Sequence, residues 1–304
     1  MSIIQTGSFS KDLIPLVNKW FGMYPEWDPK YSKIFRVEKP SDRNYEEDAT
    51  YSGMGRAVIK PEGSGIRYDS SKQLYNPRYT HNVYGLGFII TEEMMDDGIA
   101  FKNAKKFTEM LKRSCMQTRE IVVHDILNRA ITSGYVMEGG DGVVLGSASH
   151  PTSNGNVSNM PTNAVDISEA ALEQAAIDIR NMVDDRGLRI NLEPRKIVCN
   201  IAQEFELDRI LKSQMQVDSA SHNLNALRAS ATYPDGVVLT PYLTDTDAWI
   251  VLTNCPDGLK FYDRKAMAIK SDGDFDTDNA KLKAQLRFYA GWSDFRHVYY
   301  SAGG

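Results

Sequence analysis

The sequence has little cysteine, little histidine and no long apolar run. Its three cysteines (Cys115, Cys199, Cys255) lie far apart and form no CxxC pair. Such a set supports neither a disulfide framework nor a cysteine-rich zinc site, and it fits a reducing compartment. No stretch approaches the roughly 18 consecutive apolar residues of a membrane span. The N-terminus, MSIIQTGSFSKDLIPLVNKW, lacks a basic segment followed by an apolar one. Neither a signal peptide nor a transmembrane helix is expected, and no membrane partner. The P-loop, nucleophile-elbow and zincin patterns are absent, and Gly85-x-Gly87 lacks the third glycine of a dinucleotide fingerprint. The five histidines (His81, His124, His150, His222, His297) include no two at ligand spacing and read as structural or surface residues. Asp272, Asp274, Asp276 and Asp278 alternate as in a calcium loop. However, Thr277 stands where the sharp turn needs glycine, and Lys283 where a bidentate glutamate belongs. That stretch reads as a solvated acidic turn. No catalytic set, metal or cofactor is expected, and the chain does not read as an enzyme.

What remains is ordinary globular material: 304 residues, 42% hydrophobic and 25% charged. Thirty-five Lys and Arg against 40 Asp and Glu give a formal charge of −5, too acidic for a dedicated nucleic-acid binder. Leu13, Leu16, Val17, Trp20 and Phe21 recur at helical spacing before Pro25 and Pro29. So short a helix must lie on the rest of the chain or on a neighbour. Residues 38–82 are only about one-quarter apolar, 12 of 45. Within them Tyr51–Ile59 and Ile66–Asp69 flank a Pro/Gly turn cluster at 60–65 and read as a projecting hairpin.

The character then reverses. Tyr84–Ile90 is an apolar strand with two glycines, and Lys102–Ser133 runs 32 residues without Gly or Pro. Phe107, Leu111, Cys115, Val122, Ile126 and Ala130 make one apolar stripe on a helix about 45 Å long. That helix carries a local charge of +4, seven Lys or Arg against three acids, and reads as a solvated outer face more than as a polyanion surface. Gly, Ser, Asn, Pro and Thr supply 17 of the 28 residues of 138–165, a surface loop. Beyond it come a helix opened by Asp166 with Glu169 and closed by Gly187, a strand at 196–199 and a helix at 202–211. Strands follow at 237–239 and 249–252, with a strand pair over 281–300. The fold class is α+β.

This order of elements resembles the major capsid protein of tailed bacteriophages, with the Hong Kong 97-like fold. The closest echoes are Tyr84-Gly85-Leu86-Gly87-Phe88-Ile89-Ile90-Thr91-Glu92-Glu93-Met94 and the C-terminal Gly291-Trp292 with Phe295-Arg296-His297-Val298-Tyr299-Tyr300-Ser301-Ala302-Gly303. The resemblance implies an N-arm at 1–45, an extended loop at 46–83 and a peripheral domain with its spine helix at 84–140. An axial domain at 141–250 and strands returning to the peripheral sheet at 251–304 complete the expectation. It implies self-assembly into hexamers and pentamers of an icosahedral shell in the virion, built in the host bacterial cytoplasm around double-stranded DNA held non-specifically. A scaffolding protein is expected as a separate partner, since about 45 residues precede the hairpin and Met1 opens the chain. A portal and decoration proteins are further expected partners. Subunit-interface candidates are Arg56, Lys60, Arg67, Tyr68 and Lys72 in the loop, with Trp20 and Phe21 in the arm. Some family members cross-link a loop lysine, but nothing marks Lys60 or Lys72 as reactive. The alternatives are another shell-forming or virion protein (encapsulin-like, decoration) or a soluble α/β enzyme with a site assembled from distant residues.

Overall fold

The structure, a computed structural model, describes residues 17, 19–23, 27–91, 93–94, 100–215, 223–273 and 279–304. In chain order its elements are β1 (Arg36–Val37), β2 (Tyr45–Glu47), β3 (Arg78–Thr80), β4 (Asn82–Ile90), α1 (Ala100–Asn128), β5 (His150–Thr152) and β6 (Gly155–Val157). There follow α2 (Glu169–Asn181), β7 (Pro194–Asn200), α3 (Glu204–Lys212), α4 (Ala226–Ala229), β8 (Val237–Thr240), β9 (Trp249–Thr253), β10 (Leu259–Gly273), β11 (Ala280–Trp292) and β12 (Val298–Ser301). Among the described residues no helix is long and apolar enough to cross a membrane.

Two four-stranded sheets organise the chain, in the orders β1-β10-β11-β4 and β12-β9-β7-β8. On β11 the even-numbered residues from Ala280 to Trp292 are all buried, and the odd positions from Lys281 to Tyr289 are exposed or half-buried. This period of two gives the first sheet one apolar face. The 29-residue helix α1 packs there, with Leu111, Cys115, Val123, Ile126 and Leu127 in the same core as Leu286 and Phe288.

The second sheet is covered on both faces. Val198, Ile250, Leu252, Val298 and Tyr300 point into the core shared with α1. Ile197, Cys199, Trp249, Val251 and Tyr299 point the other way, onto Leu172, Ala175 and Ile179 of α2 and Leu207 and Ile210 of α3. α1 is therefore common to both halves. Near its C-terminal end His124 accepts from the Thr240 hydroxyl at 3.0 Å through Nε2, while Nδ1–H donates to the Glu120 carbonyl at 2.8 Å. The buried Glu120 carboxylate accepts the backbone N–H groups of Lys30 (2.7 Å) and Tyr31 (3.1 Å). It caps the 3-10 turn Tyr31–Lys33 and ties the N-terminal segment to α1.

Five sequence expectations need correction. The strands expected at 51–59 and 66–69 do not form a ladder. Pairing runs instead from Tyr45/Thr80 out to Ser52/Lys72, because only there does the hairpin have a buried side, at Tyr79. β10 was not foreseen, since its charged residues hid the alternation; Lys260, Asp263 and Arg264 each meet an opposite charge in the fold. Residues 251–304 do not all return to the first sheet: β12 pairs antiparallel with β9 in the second, where Tyr299 and Tyr300 serve its two cores. The polar stretch 138–165 is no simple surface loop. Asn159, fully buried, accepts from Ser147 N and donates to the carbonyls of Leu145 and Val298, stitching this stretch to β12. Finally, α2 is capped by Ser168, whose hydroxyl accepts from Ala171 N at 3.2 Å, while Asp166 accepts from Gly304 N. The helix ends at Asn181, before Gly187.

Burial also makes stability depend on pH. His81, His124 and His297 are each held below the ordinary imidazole value of 6.5, chiefly because burial disfavours the charged ring. The unfolded chain therefore binds protons first. Stability present above pH 6.5 is lost as pH falls through the lower folded values. Among the described residues neither ring nitrogen of His81 has a hydrogen-bond partner, so His81→Leu removes a proton-binding group without breaking a bond seen there. The denaturation midpoint of the unassembled wild-type subunit should drop between about pH 7.5 and about pH 5.5, and drop less in His81→Leu. An equal drop in both would exclude His81 as a contributor.

Candidate assembly surface

The loop between β2 and β3 is anchored at its root and open beyond it. At the root, Asp48 Oδ2 accepts from Lys260 Nζ at 2.7 Å and from Ser293 Oγ at 2.6 Å. Ser293 Oγ in turn lies 2.5 Å from the hydroxyl of the fully buried Tyr79. Burial alone would lower the pKa of Lys260, but Asp48 and Asp257 (3.1 Å) outweigh it and hold the ammonium charged. Above this network the two sides of the hairpin exchange backbone bonds: Thr50 N to Tyr75 O, Leu74 N to Thr50 O, and Ser52 N to Lys72 O, all between 2.8 and 2.9 Å. The Thr50 and Ser52 hydroxyls accept from Tyr75 N and Lys72 N, closing the ladder. A cleft of 270 Å³, lined by Tyr51, Tyr75, Asp184, Asp185 and Trp292 among others, lies against this root.

Past Ser52 the ladder stops. Every residue from Met54 to Gln73 is exposed, including Ile59 (94%), Tyr68 (92%), Ile66 and Val58. Arg56, Lys60 and Arg67 are interleaved with these apolar side chains. Lone exposed apolar residues are ordinary, but several on one projecting segment make a contact surface.

The sequence candidates therefore separate. Arg56, Lys60, Arg67 and Tyr68 lie on the open segment. Lys72 has an exposed side chain, but its backbone belongs to the ladder. Phe21 is buried in its own chain's core, and its carbonyl accepts from Lys112 Nζ at 2.9 Å. Trp20 packs half-buried beside Ile90, Ala104 and Leu282. The arm lies on its own subunit at these two positions, because the apolar stripe it needs is supplied by α1 and the first sheet. Leu13 and Leu16 fall outside the described residues, as do His222 and Asp274, Asp276 and Asp278 of the acidic turn. The cationic face of α1 also shrinks. Lys112 is buried, Arg119 reaches Asp263 at 3.4 Å, and Arg129 pairs with Asp125, leaving Lys105, Lys106 and Arg113 as the exposed cations among the described side chains, to which that of Lys102 does not belong.

Comparison with known proteins gives the family. The phage capsid protein family matches residues 76–301, about three-quarters of the sequence. The chain belongs to that family. Among solved structures it is similar to the virus-like particle of Pyrococcus furiosus, at 11% identity over 94% of this chain and 95% of that one (TM-score 0.51). It is similar to a chain of Mycobacterium phage Bobi at 10% identity over 92% of each (TM-score 0.56). The procapsid of bacteriophage JBD30 aligns at 13% identity over 98% of this chain and 76% of that one (TM-score 0.53). No curated protein sequence matches. The fold is the Hong Kong 97-like capsid fold, and the chain is a major capsid protein that associates with itself into a shell of the virion.

The root and the surface of this capsid protein should respond differently to mutation. Asp48→Ala leaves the buried Lys260 ammonium with Asp257 alone. It should cost about 2–3 kcal/mol in subunit unfolding, somewhat under the roughly 3–5 of a fully broken buried pair. Glu47→Ala breaks the exposed pair with Arg78 and should cost about 0–1 kcal/mol. Equal costs would mean that the root network does not anchor the loop.

Proposed function

We propose that the open segment, residues 54–68, is the part of the extended loop that lies on a second copy of the chain in hexamers and pentamers of an icosahedral shell. The observation that carries this is an exposed apolar and cationic segment on a rigidly rooted hairpin. The segment cannot bury its own Val58, Ile59, Ile66 and Tyr68. Burying such side chains against a neighbour is worth about 1.5–3 kcal/mol each. Arg56, Lys60 and Arg67 would meet acidic side chains across that contact. Lys72, at the edge of the ladder, would meet the neighbour only at its rim. Trp20 and Phe21 act within the subunit, holding the arm to α1.

The shell would be assembled in the host bacterial cytoplasm with a separate scaffolding protein, carry a portal and decoration proteins, and enclose double-stranded DNA. Contact with that DNA would be non-specific, since the chain is acidic overall and Lys112, Arg119 and Arg129 of α1 are committed inside the subunit. A structural role leaves no residue with a turnover. Alanine at His81, His124, His150, His222 or His297 should change stability or assembly only, and a robust activity abolished by one such change would overturn this.

Electron microscopy of the purified protein with its scaffold should show closed shells, whereas a persistent monomer or dimer at high concentration would refute the reading. Deleting residues 60–67 should leave a folded subunit that closes shells poorly. In the free subunit, trypsin should cut first at Arg56 and Arg67, with the Lys60-Pro61 bond resistant and Lys72 spared by its paired backbone, and assembly should protect both sites. Equal protection in both states would place the segment on its own subunit.

A further inference from the structure

Beyond the ladder, the open loop meets its own chain again through a constructed contact. Asp69 Oδ2 accepts from Gly55 N at 2.7 Å and from Arg186 Nη1 at 2.6 Å, and Asp69 Oδ1 accepts from Ser70 N at 2.9 Å. The other terminal nitrogen of Arg186 donates to the Ser70 carbonyl. One guanidinium thus reaches the returning side of the hairpin twice, and one carboxylate binds the outgoing side to it.

The turn that presents Arg186 is shaped for the purpose. Asp184 Oδ1 accepts from both Arg186 N and Leu188 N at 2.8 Å, and Asp184 N donates to Leu188 O at 2.7 Å. Gly187 sits at φ +79°, where a side chain would also strike Asn154. Asp185 is held by Ser153 N at 2.9 Å, so the turn is braced by the β5–β6 hairpin. On the loop, a Cβ at Gly53 would lie 2.6 Å from Asp184 Oδ2, so glycine is what lets the outgoing strand pass this close. The Gly55 and Ser70 amides, and then Arg186, hold the Asp69 carboxyl below its usual 3.8. The contact is accordingly ionic at any pH near neutrality.

We propose that Arg186 and Asp69 are positioning residues, forming a salt-sensitive latch that sets the direction in which residues 56–68 leave the subunit before a second copy is met. The proposal rests on the reading that this segment contacts a second copy. Both side chains are partly solvent-exposed, Arg186 27% and Asp69 37%. The latch therefore biases the loop's direction and still lets it adjust as a neighbour docks.

The test uses the full-length unassembled subunit. Chymotryptic cleavage after Tyr68, divided in each variant by its rate in the unfolded chain because residue 69 adjoins the cut bond, and hydrogen exchange at the Gly55 amide are followed in wild type, Asp69→Asn, Arg186→Ala and the swap Asp69→Arg with Arg186→Asp. Cleavage and exchange should each rise about three- to tenfold in either single variant. At about 1 M salt, where screening acts within roughly 3 Å, wild type should approach the single variants and these should barely change. The swap should recover most of the protection against cleavage. Asp69→Asn changes only an exposed loop residue, so it reports even where Arg186→Ala perturbs its turn. Scaffold-driven shell formation should slow in both single variants. Unchanged cleavage in both would overturn the latch, and faster cleavage with an unchanged assembly rate would overturn its positioning role. The two claims fail separately: normal shells from the 60–67 deletion would remove the intersubunit reading and leave the free-subunit measurement standing.

Discussion

The register of β11 constrains the rest of the subunit. It is a central strand, paired with β10 on one side and β4 on the other, and its even-numbered residues form the apolar face on which α1 lies. A slip of one residue would turn Leu282, Leu286 and Phe288 to the outside and Lys281, Lys283 and Arg287 into the core. The contacts that root the β2–β3 hairpin and the N-terminal segment would not survive that, because β4 leads directly from the hairpin, β10 supplies Lys260 to its root, and α1 receives the N-terminal segment. Gly87 shows how tightly the register is held: a Cβ there would stand 2.5 Å from the Leu282 carbonyl.

From that base the molecule solves a problem that burial alone cannot. The open segment leaves its apolar side chains exposed, as the proposed contact with another copy would require, and so they contribute little to the subunit's own folding. The root therefore does the holding, through one buried ammonium with two carboxylates, a serine and a tyrosine, and a short ladder. Arg186 reaches the loop farther out, through exposed groups whose attraction is weaker and tunable. Strength decreases along the loop in the order in which freedom is needed.

The two sheets form one body because α1 and the 138–165 stretch serve both. The core of α1 includes residues of each sheet, and His124 binds the last residue of β8 while Asn128 binds the chain just after it. Asn159, in a stretch with little apolar content, satisfies three backbone groups beside β12.

Much of this was legible in the residues. The stripe from Phe107 to Ala130 determined α1, and the alternation from Leu282 to Trp292 determined β11, because a periodicity of 3.6 or 2 reports which side of an element is buried. The order of elements carried the capsid resemblance, and the low apolar content of 38–82 marked the projecting loop. Other features belong to contacts between residues far apart in sequence. β10 was hidden because Lys260, Asp263 and Arg264 read as solvated until Asp48, Arg119 and Asp42 stand beside them. Phe21 read as a candidate for contact with a neighbour until α1 covers it, and Arg186 carries no local sign that it will meet Asp69, 117 residues away. Local periodicity encodes burial, whereas pairing between distant charges is decided only when the chain closes on itself.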